Sequence, residues 1–197
     1  MRHLRPAIVL IVFFTLLTGL ALPLLFVTGA RAVAPALAGG SLIRHGDVVV
    51  GSALLGQNFT TDKYLHGRPS ATQNTDPADA TKTVSVPYDA SSSGASNLAP
   101  TDKALIDRVT ADVKAVGGGP VPGDMVTTSA SGLDPDISPE NAARQVARIA
   151  AARKLAPAQV QGAIEANSHG RLLGLIGEPR VNVLAANLAL DALAPAP

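Results

Sequence analysis

Three serines provide the hydroxyl groups with which this chain could carry out nucleophilic chemistry: Ser93, Ser129 and Ser131. A serine hydroxyl is an effective nucleophile only when a general base lies within hydrogen-bond reach. The sequence has neither a G-x-S-x-G nor an S-x-x-K motif, patterns that place such a serine beside its helper groups. A hydrolase that uses one of these hydroxyls is therefore an alternative without an identified base, and the sequence predicts no catalytic residue.

The histidines and carboxylates do not form a recognisable metal site. His45, His66 and His169 are far apart in the sequence, no H-E-x-x-H motif is present, and there is no cysteine. The segment Asp134–Asp136 resembles the start of a calcium loop, but Pro139 and a missing glycine do not fit an EF-hand. We interpret this segment as a turn that leads into a helix cap, and we predict no metal ligand.

Phosphate-binding motifs are absent as well. No G-x-x-x-x-G-K-[ST] loop occurs, and the sequence contains no Gly-Lys dipeptide. Direct nucleotide binding therefore has no support from a motif and stands only as a third hypothesis.

The elements that would position these side chains belong to a mixed α/β (α+β) domain. Four helices are predicted from apolar residues at helical spacing and from their caps. They are a helix capped by Thr101 and ended by the glycines at 117–119, one from the Ser138 cap to Lys154, one over 157–167 and one over 179–193. Short apolar runs predict strands at 47–55 and 125–129. The polar, aperiodic residues 66–100 predict a long loop, and the glycines of 170–177 predict a turn.

The N-terminal segment has the length and composition of a membrane helix. Ala7 to Val27 form 21 consecutive positions without a charge, and 15 of them are Leu, Ile, Val or Phe. A helix of that length rises about 31 Å, close to the hydrocarbon thickness of a bilayer. We therefore expect an N-terminus at 1–6, a transmembrane helix at 7–27, a linker at 28–40 and a soluble domain at 41–197. A cleavable signal peptide is the alternative, although its apolar core usually runs only about 7 to 15 residues.

The charges around the apolar run predict its orientation. Arg2, Arg5 and the N-terminal amine precede it, whereas Arg31 is the only nearby cation behind it. By the positive-inside rule, the N-terminus lies in the cytoplasm and everything from about residue 31 onward lies outside. This exported part carries all 15 acidic residues and 14 of the 16 Lys and Arg, so its charge does not favour nucleic acid.

A stripe of small residues lies on one face of the predicted transmembrane helix. Thr15, Thr18 and Gly19, here called the seam, stand at i, i+3 and i+4. Small residues at this spacing let a second helix approach closely in a membrane. Pro23 predicts a kink near the outer end. We therefore expect a partner helix to pack against the seam.

Five ordered motifs along the chain carry a resemblance to a known family. They are GSALLGQNF at 51–59, YLHGRPSA at 64–71, SGASNL at 93–98, DMVTTSASGLDPDIS at 124–138 and GEPRVNVL at 177–184. Together with Leu17–Leu20 and Pro23 in the apolar run, they cover nearly the whole chain. The sequence resembles the C subunit of the Kdp potassium-transporting ATPase.

The resemblance implies a complex in the bacterial inner membrane. Its other members would be a potassium-channel-like subunit, a P-type ATPase subunit and a small hydrophobic subunit. This chain would be the accessory subunit, needed for assembly and coupling but not for hydrolysis, since it lacks the Asp-Lys-Thr-Gly phosphorylation signature.

The resemblance also implies a link to ATP. In the family this subunit is described as a catalytic chaperone that raises the affinity of the ATPase subunit for ATP. A glutamine held responsible for this effect is matched here by Gln57. ATP is thus implied by the resemblance only, and the predicted external position of the domain conflicts with direct contact to cytoplasmic ATP.

Overall fold

The structure is a computed structural model that describes residues 2–193. The chain forms two compact units, Met1–Ser52 and Ala53–Pro197, and the second is called the domain below. An apolar N-terminal helix followed by a mixed helix–sheet domain confirms this part of the predicted fold class. The first unit also includes residues 41–52, which the sequence analysis assigned to the soluble domain.

One long helix dominates the first unit. It consists of α1 (Leu4–Leu16), a π-helical turn (Leu17–Ala21) and α2 (Leu22–Val33), and it is followed by the short α3 (Pro35–Ala38). Leu4–Val33 is the one helix within residues 2–193 that is long and apolar enough to cross a membrane, and none of its residues is buried. Most of the linker predicted at 28–40 is helical, since α2 extends to Val33 and α3 follows. The alanines of this segment favour a helix.

A π-helical turn lies shortly before Pro23, and the kink expected at this residue stays a prediction. Proline cannot donate a backbone hydrogen bond, and its ring clashes with the carbonyl four residues earlier, here that of Gly19. A π-helical turn over Leu17–Ala21 changes the local winding before Pro23, which stands in the first turn of α2. The Thr18 hydroxyl donates to the Phe14 carbonyl at 2.6 Å and so bonds within the same helix.

A β-hairpin completes the first unit. Strand β1 (Leu42–His45) pairs antiparallel with β2 (Val48–Ser52), around a turn in which Gly46 has a φ of 60°. The strand predicted at 47–55 is thus confirmed for 48–52, whereas its partner β1 was not predicted. The Ser52 hydroxyl donates to the Gly40 carbonyl at 2.7 Å, within the same unit.

The domain begins with a long irregular stretch that contains a second hairpin. Strand β3 (Gln73–Asp76) pairs antiparallel with β4 (Asp79–Ser85), so the prediction of a loop throughout 66–100 is wrong for these residues. Every side chain of the two strands is exposed or half-buried. A strand pair with both faces polar shows no apolar alternation, which is why the sequence pattern missed it. The Asp76 carboxylate closes the turn by accepting from the Ala78 N–H at 2.8 Å.

The next two predicted elements need correction. Helix α4 (Lys103–Ala115) is capped by Asp102, whose carboxylate accepts from the Ala104 N–H at 2.8 Å, and not by Thr101. The strand predicted at 125–129 is absent. A 3-10 turn (Gly123–Met125) and an irregular segment stand there. Val126 and Ser129 are buried in this irregular segment and do not belong to a sheet.

The core lies among three helices and a small sheet. Its elements are β5 (Asp136–Ile137), α5 (Pro139–Arg153), α6 (Pro157–Ala166), β6 (Ser168–His169), β7 (Arg180–Asn182) and α7 (Val183–Leu193). The three strands pair antiparallel in the order β5-β7-β6. Buried aliphatic residues of the helices and strands form one cluster, which includes Ile149, Val160, Val181 and Leu190.

The helices of the core follow the sequence closely, with one exception. Ser138 caps α5 as predicted, since its hydroxyl accepts from the Asn141 N–H at 3.1 Å, and α6 begins at Pro157. The helix predicted over 179–193 begins only at Val183. The preceding residues Arg180–Asn182 pair with two other strands as the centre of the sheet, and this tertiary pairing replaces the first helical turn.

Candidate functional sites and family membership

The seam lies on the surface of the apolar helix. Thr15, Thr18 and Gly19 are all exposed, and a Cβ atom added at Gly19 would meet no atom within 4 Å. The π-helical turn includes Thr18 and Gly19, so it changes the spacing of the seam relative to a regular helix. The seam thus leaves space for another chain, and its role as a helix–helix contact stays a prediction.

Gln57 follows a glycine that the fold requires for close packing. A Cβ atom at Gly56 would lie 2.5 Å from the Asp134 carbonyl oxygen and would also clash with the Tyr88 ring. The Gly56 N–H donates to the Leu133 carbonyl at 2.9 Å, which holds this segment against the loop before β5. Gln57 itself is half-buried. The close packing explains why a glycine stands at position 56, without any ligand.

Arg68 and Tyr88 join the segments around Gly56. Arg68 Nη1 lies 2.9 Å from Asp134 Oδ2, while the Tyr88 hydroxyl donates to the Arg68 carbonyl at 2.7 Å. Burial, together with the charge of Asp134, raises the pKa of Tyr88 to about 12, although the Arg68 cation opposes the change. The Tyr88 backbone N–H donates to the Ser70 hydroxyl at 3.0 Å. Sequence reasoning missed this cluster because its members are 20 to 66 residues apart.

An open pocket of about 870 Å³ lies next to this cluster. Arg68, Arg108 and Asp112 line it together with the serine-rich segment 92–96. Arg108 Nη1 is paired with Asp112 at 2.9 Å, so both arginines of the pocket have a carboxylate partner. Within residues 2–193, the buried Nε atoms of these two arginines have no hydrogen-bond partner. The paired charges leave the pocket polar but electrically balanced.

The three candidate serines hold loops in place. The Ser129 hydroxyl accepts from the Gly132 N–H at 2.9 Å, and the Ser131 hydroxyl accepts from the Leu133 N–H at 3.1 Å. The Ser93 hydroxyl donates to the Ser131 carbonyl at 3.1 Å. His66 Nε2 is 3.0 Å from the Thr61 carbonyl oxygen. These bonds give each hydroxyl a structural role in the loop that precedes β5.

The carboxylates around residue 136 are occupied by cations and by backbone groups. Asp136 lies 2.9 Å from Arg180 Nε, and burial raises the pKa of the Asp136 carboxyl group. The Asp134 carboxylate accepts from the Asp136 N–H at 3.1 Å, and Asp136 itself begins β5, so the segment leads into a strand and is not a turn throughout. Among the described residues, no group of three or more His, Asp or Glu side chains is placed to hold a metal ion.

The cap of α5 depends on a residue that the sequence did not identify. Asp124 accepts from the Ser138 N–H at 2.7 Å and from the Ser138 hydroxyl at 2.9 Å. It also accepts from the Asn141 amide at 3.0 Å. A carboxylate at a helix N-terminus is favoured by the helix dipole. No local pattern reveals this role, because Asp124 is 14 residues from the cap.

The turn predicted at 170–177 exposes large aliphatic side chains. Leu172, Leu173, Leu175 and Ile176, here called the apolar loop, are 65%, 85%, 83% and 63% exposed. The prediction of a turn is confirmed, since Gly174 and Gly177 have φ angles of 74° and 84°. Sequence analysis treated the leucines as part of a glycine-rich turn and did not predict their exposure.

Comparison with known proteins gives a consistent assignment. The family model described as "KdpC: K+-transporting ATPase, c chain" matches residues 4–192. A protein from Methylobacterium nodulans is 58% identical over 198 residues, which cover 98% of both chains. Proteins from Bradyrhizobium diazoefficiens and from Rhodopseudomonas palustris strain BisB18 are also 58% identical, over 97% and 98% of both chains respectively. All three are described as the KdpC subunit of a potassium-transporting ATPase. The chain belongs to the KdpC family, the c chain of potassium-transporting ATPases.

Proposed function

We propose that this chain is the accessory subunit of an ATP-driven potassium-import complex in the bacterial inner membrane, needed for assembly and coupling. The relatives described as KdpC subunits of potassium-transporting ATPases support the link to potassium transport. The observation that carries the proposal is the exposed helix Leu4–Val33. A helix that is apolar on all faces needs lipid or other membrane helices around it.

The proposed partners are those of the resembled complex. A potassium-channel-like subunit, a P-type ATPase subunit and a small hydrophobic subunit would surround the helix, and ATP hydrolysis would occur on the ATPase subunit. The positive-inside rule, applied to Arg2 and Arg5, supports a cytoplasmic N-terminus and a domain outside the cytoplasm. There, the domain would act on the potassium entrance, where its carboxylates would raise the local cation concentration.

The seam is the proposed contact with a partner helix. Gly19 leaves the backbone bare beside two threonines, so a second helix can approach closely. A leucine at this position would hold the two backbones apart. Since the helix itself has space for the larger side chain, the substitution affects only the approach of a partner.

Gly19→Leu tests this contact. We expect co-purification of the other subunits to fall by about tenfold, which corresponds to about 1.4 kcal/mol, because the leucine side chain would prevent the close approach that small residues allow. Gly29→Leu is the matched control, since Gly29 lies in the same helix and also has no neighbour within 4 Å. Equal recovery of the partners with both variants and the wild-type chain would reject the seam.

We propose that the effect on ATP affinity is indirect. A domain outside the cytoplasm cannot touch cytoplasmic ATP, yet two sites in one complex can still be coupled. The packing of Gly56 against Tyr88 and Asp134 supports a structural role for the segment that contains Gln57. In this scheme Gln57 influences the ATPase subunit through contacts between subunits.

Nucleotide titrations separate direct from indirect action. Millimolar ATP should leave the unfolding temperature of the full-length chain unchanged, whereas Gln57→Ala should raise the KM for ATP of the whole complex. A ligand present at about 100 times its Kd would stabilise the chain by about 2.7 kcal/mol, which a thermal scan detects readily. Such a stabilisation would contradict indirect action and favour a nucleotide site on this chain.

A further inference from the structure

The apolar loop combines high exposure with a strained backbone. Leu173 is 85% exposed and has a φ of 54°, in the left-handed region that favours Gly and Asn. A leucine there costs backbone energy, and within residues 2–193 its exposed side chain gains little packing in return. The fold of the domain therefore gives no reason for an aliphatic side chain at this position.

The tip of the loop is held in one shape. The Leu172 N–H donates to the Ile176 carbonyl at 2.8 Å, and the Ile176 N–H donates to the Leu172 carbonyl at 3.0 Å. At the base, Arg171 Nη2 lies 2.7 Å from Glu178 Oε2. A surface that is already ordered loses less conformational entropy when it binds. The loop thus presents four aliphatic side chains in an arrangement suited to binding.

The charges around the loop help to decide whether it binds a lipid surface or an apolar pocket on a protein. Anionic lipid surfaces attract unpaired Lys and Arg side chains, and the membrane interface favours Trp and Tyr. Here Arg171 is paired with Glu178 and Arg180 with Asp136, and the segment 171–178 contains no aromatic residue. Residues 53–197 hold 12 Lys and Arg against 14 Asp and Glu, so the domain has no excess positive charge. A charge-balanced rim around an aliphatic tip fits a protein pocket better than a lipid headgroup layer.

We propose that the apolar loop inserts into an apolar pocket on another polypeptide of the potassium-transporting complex. This inference rests on the proposed function, because it requires that the chain assembles with other subunits. It adds a second contact, made by the domain, to the contact that the seam makes in the membrane. The pocket on the other subunit would be concave and lined by aliphatic or aromatic side chains, because the loop protrudes with aliphatic side chains and its charges are paired.

Substitutions at the tip test the contact in the assembled complex. Leu175→Asp should weaken retention of the other subunits on the tagged chain by about tenfold or more, since it removes one leucine from a buried site. Leu175→Met keeps an apolar side chain and should retain them. Ile106→Asp, a change at an aliphatic residue that is 53% exposed on α4, is the matched control and should behave like the wild-type chain. Normal retention with Leu175→Asp would overturn the proposal.

A second variant removes any doubt about folding. Leu173→Asn suits the left-handed backbone better than leucine does, so the unfolding temperature of the chain should stay the same or rise. Retention of the other subunits should nevertheless fall. A variant that is at least as stable as the wild-type chain and fully retained would contradict the inference.

Photo-crosslinking identifies the molecule that the apolar loop contacts. With benzoylphenylalanine at position 175 of the assembled complex, we expect an adduct to another subunit. Adducts to lipid alone, or no protein adduct, would overturn the proposal. Failure of the proposed function looks different, because the wild-type chain would then not co-purify with any subunit. If only the loop inference fails, the wild-type chain and the loop variants co-purify equally well.

Discussion

Two apolar helices of this chain have opposite surroundings. Within the domain, α7 places Val183, Leu184, Ala186 and Leu190 in the core, and its Asn187 is also buried. The helix Leu4–Val33 is at least as apolar, yet none of its residues is buried. Composition alone therefore does not decide whether an apolar helix packs inside a domain or needs an external partner.

The difference arises from what covers each helix. Helix α7 is joined to the rest of the domain by polar bonds as well as by packing, since Asn187 bonds both the N–H and the carbonyl of Leu65, at 2.7 and 3.0 Å. A buried amide that satisfies a backbone segment in this way fixes where the helix lies. The helix Leu4–Val33 contains no Asn, Gln, Asp or Glu, and its Thr18 hydroxyl bonds within the helix. None of the residues of this helix is buried, so its surface stays exposed.

The largest expected difference in the free energy of unfolding is between a Leu→Ala substitution in α7 and one in the helix Leu4–Val33. Leu190→Ala removes a fully buried side chain from the core and should lower the free energy of unfolding of the domain by about 2–5 kcal/mol. Leu16→Ala, at a residue that is 55% exposed, should leave it unchanged. Both tyrosines, Tyr64 and Tyr88, lie in the domain and the chain has no Trp, so tyrosine fluorescence during urea unfolding reports on the domain. Equal destabilisation by both variants would remove the contrast between the helices.

Alkaline pH should produce a smaller effect, confined to the domain. The pKa of Tyr88 is raised by burial to about 12, above its ordinary value near 10. A raised pKa gives stability that is present below the ordinary value and is lost as the pH rises from about 10 through 12. The urea midpoint of the domain should therefore fall in this range, and it should fall less steeply in Tyr88→Phe. A variant with the same slope as the wild-type chain would show that Tyr88 is not the group that titrates.

The sequence predicted the parts of the fold that local signals determine. The cap at Ser138, the start of α6 at Pro157 and the apolar N-terminal helix all depend on neighbouring residues, and the structure contains them. The hairpin of β3 and β4 carries no apolar alternation, and Arg180–Asn182 becomes a strand only because two other strands flank it. Such features are decided by tertiary contacts, which a local pattern does not contain.

The candidate sites follow the same division. The seam could be identified from its spacing, because a helix brings residues three and four apart onto one face. The cluster of Arg68, Tyr88 and Asp134 could not, since its members come from three separate loops. The aliphatic residues of the apolar loop were visible in the sequence, but their exposure was not. It depends on how the backbone turns, with positive φ angles at Leu173, Gly174 and Gly177 and with backbone pairing of Leu172 and Ile176.

The side of the membrane on which the domain lies is the most direct test of the account. The chain has no cysteine, so Ala78→Cys in the exposed hairpin turn and His3→Cys at the N-terminus can each be labelled at a single site with a membrane-impermeant maleimide. In cells with a permeabilised outer membrane and an intact inner membrane, we expect position 78 to react and position 3 to react only after the inner membrane is opened. Reaction at position 3 with protection at position 78 would contradict the account.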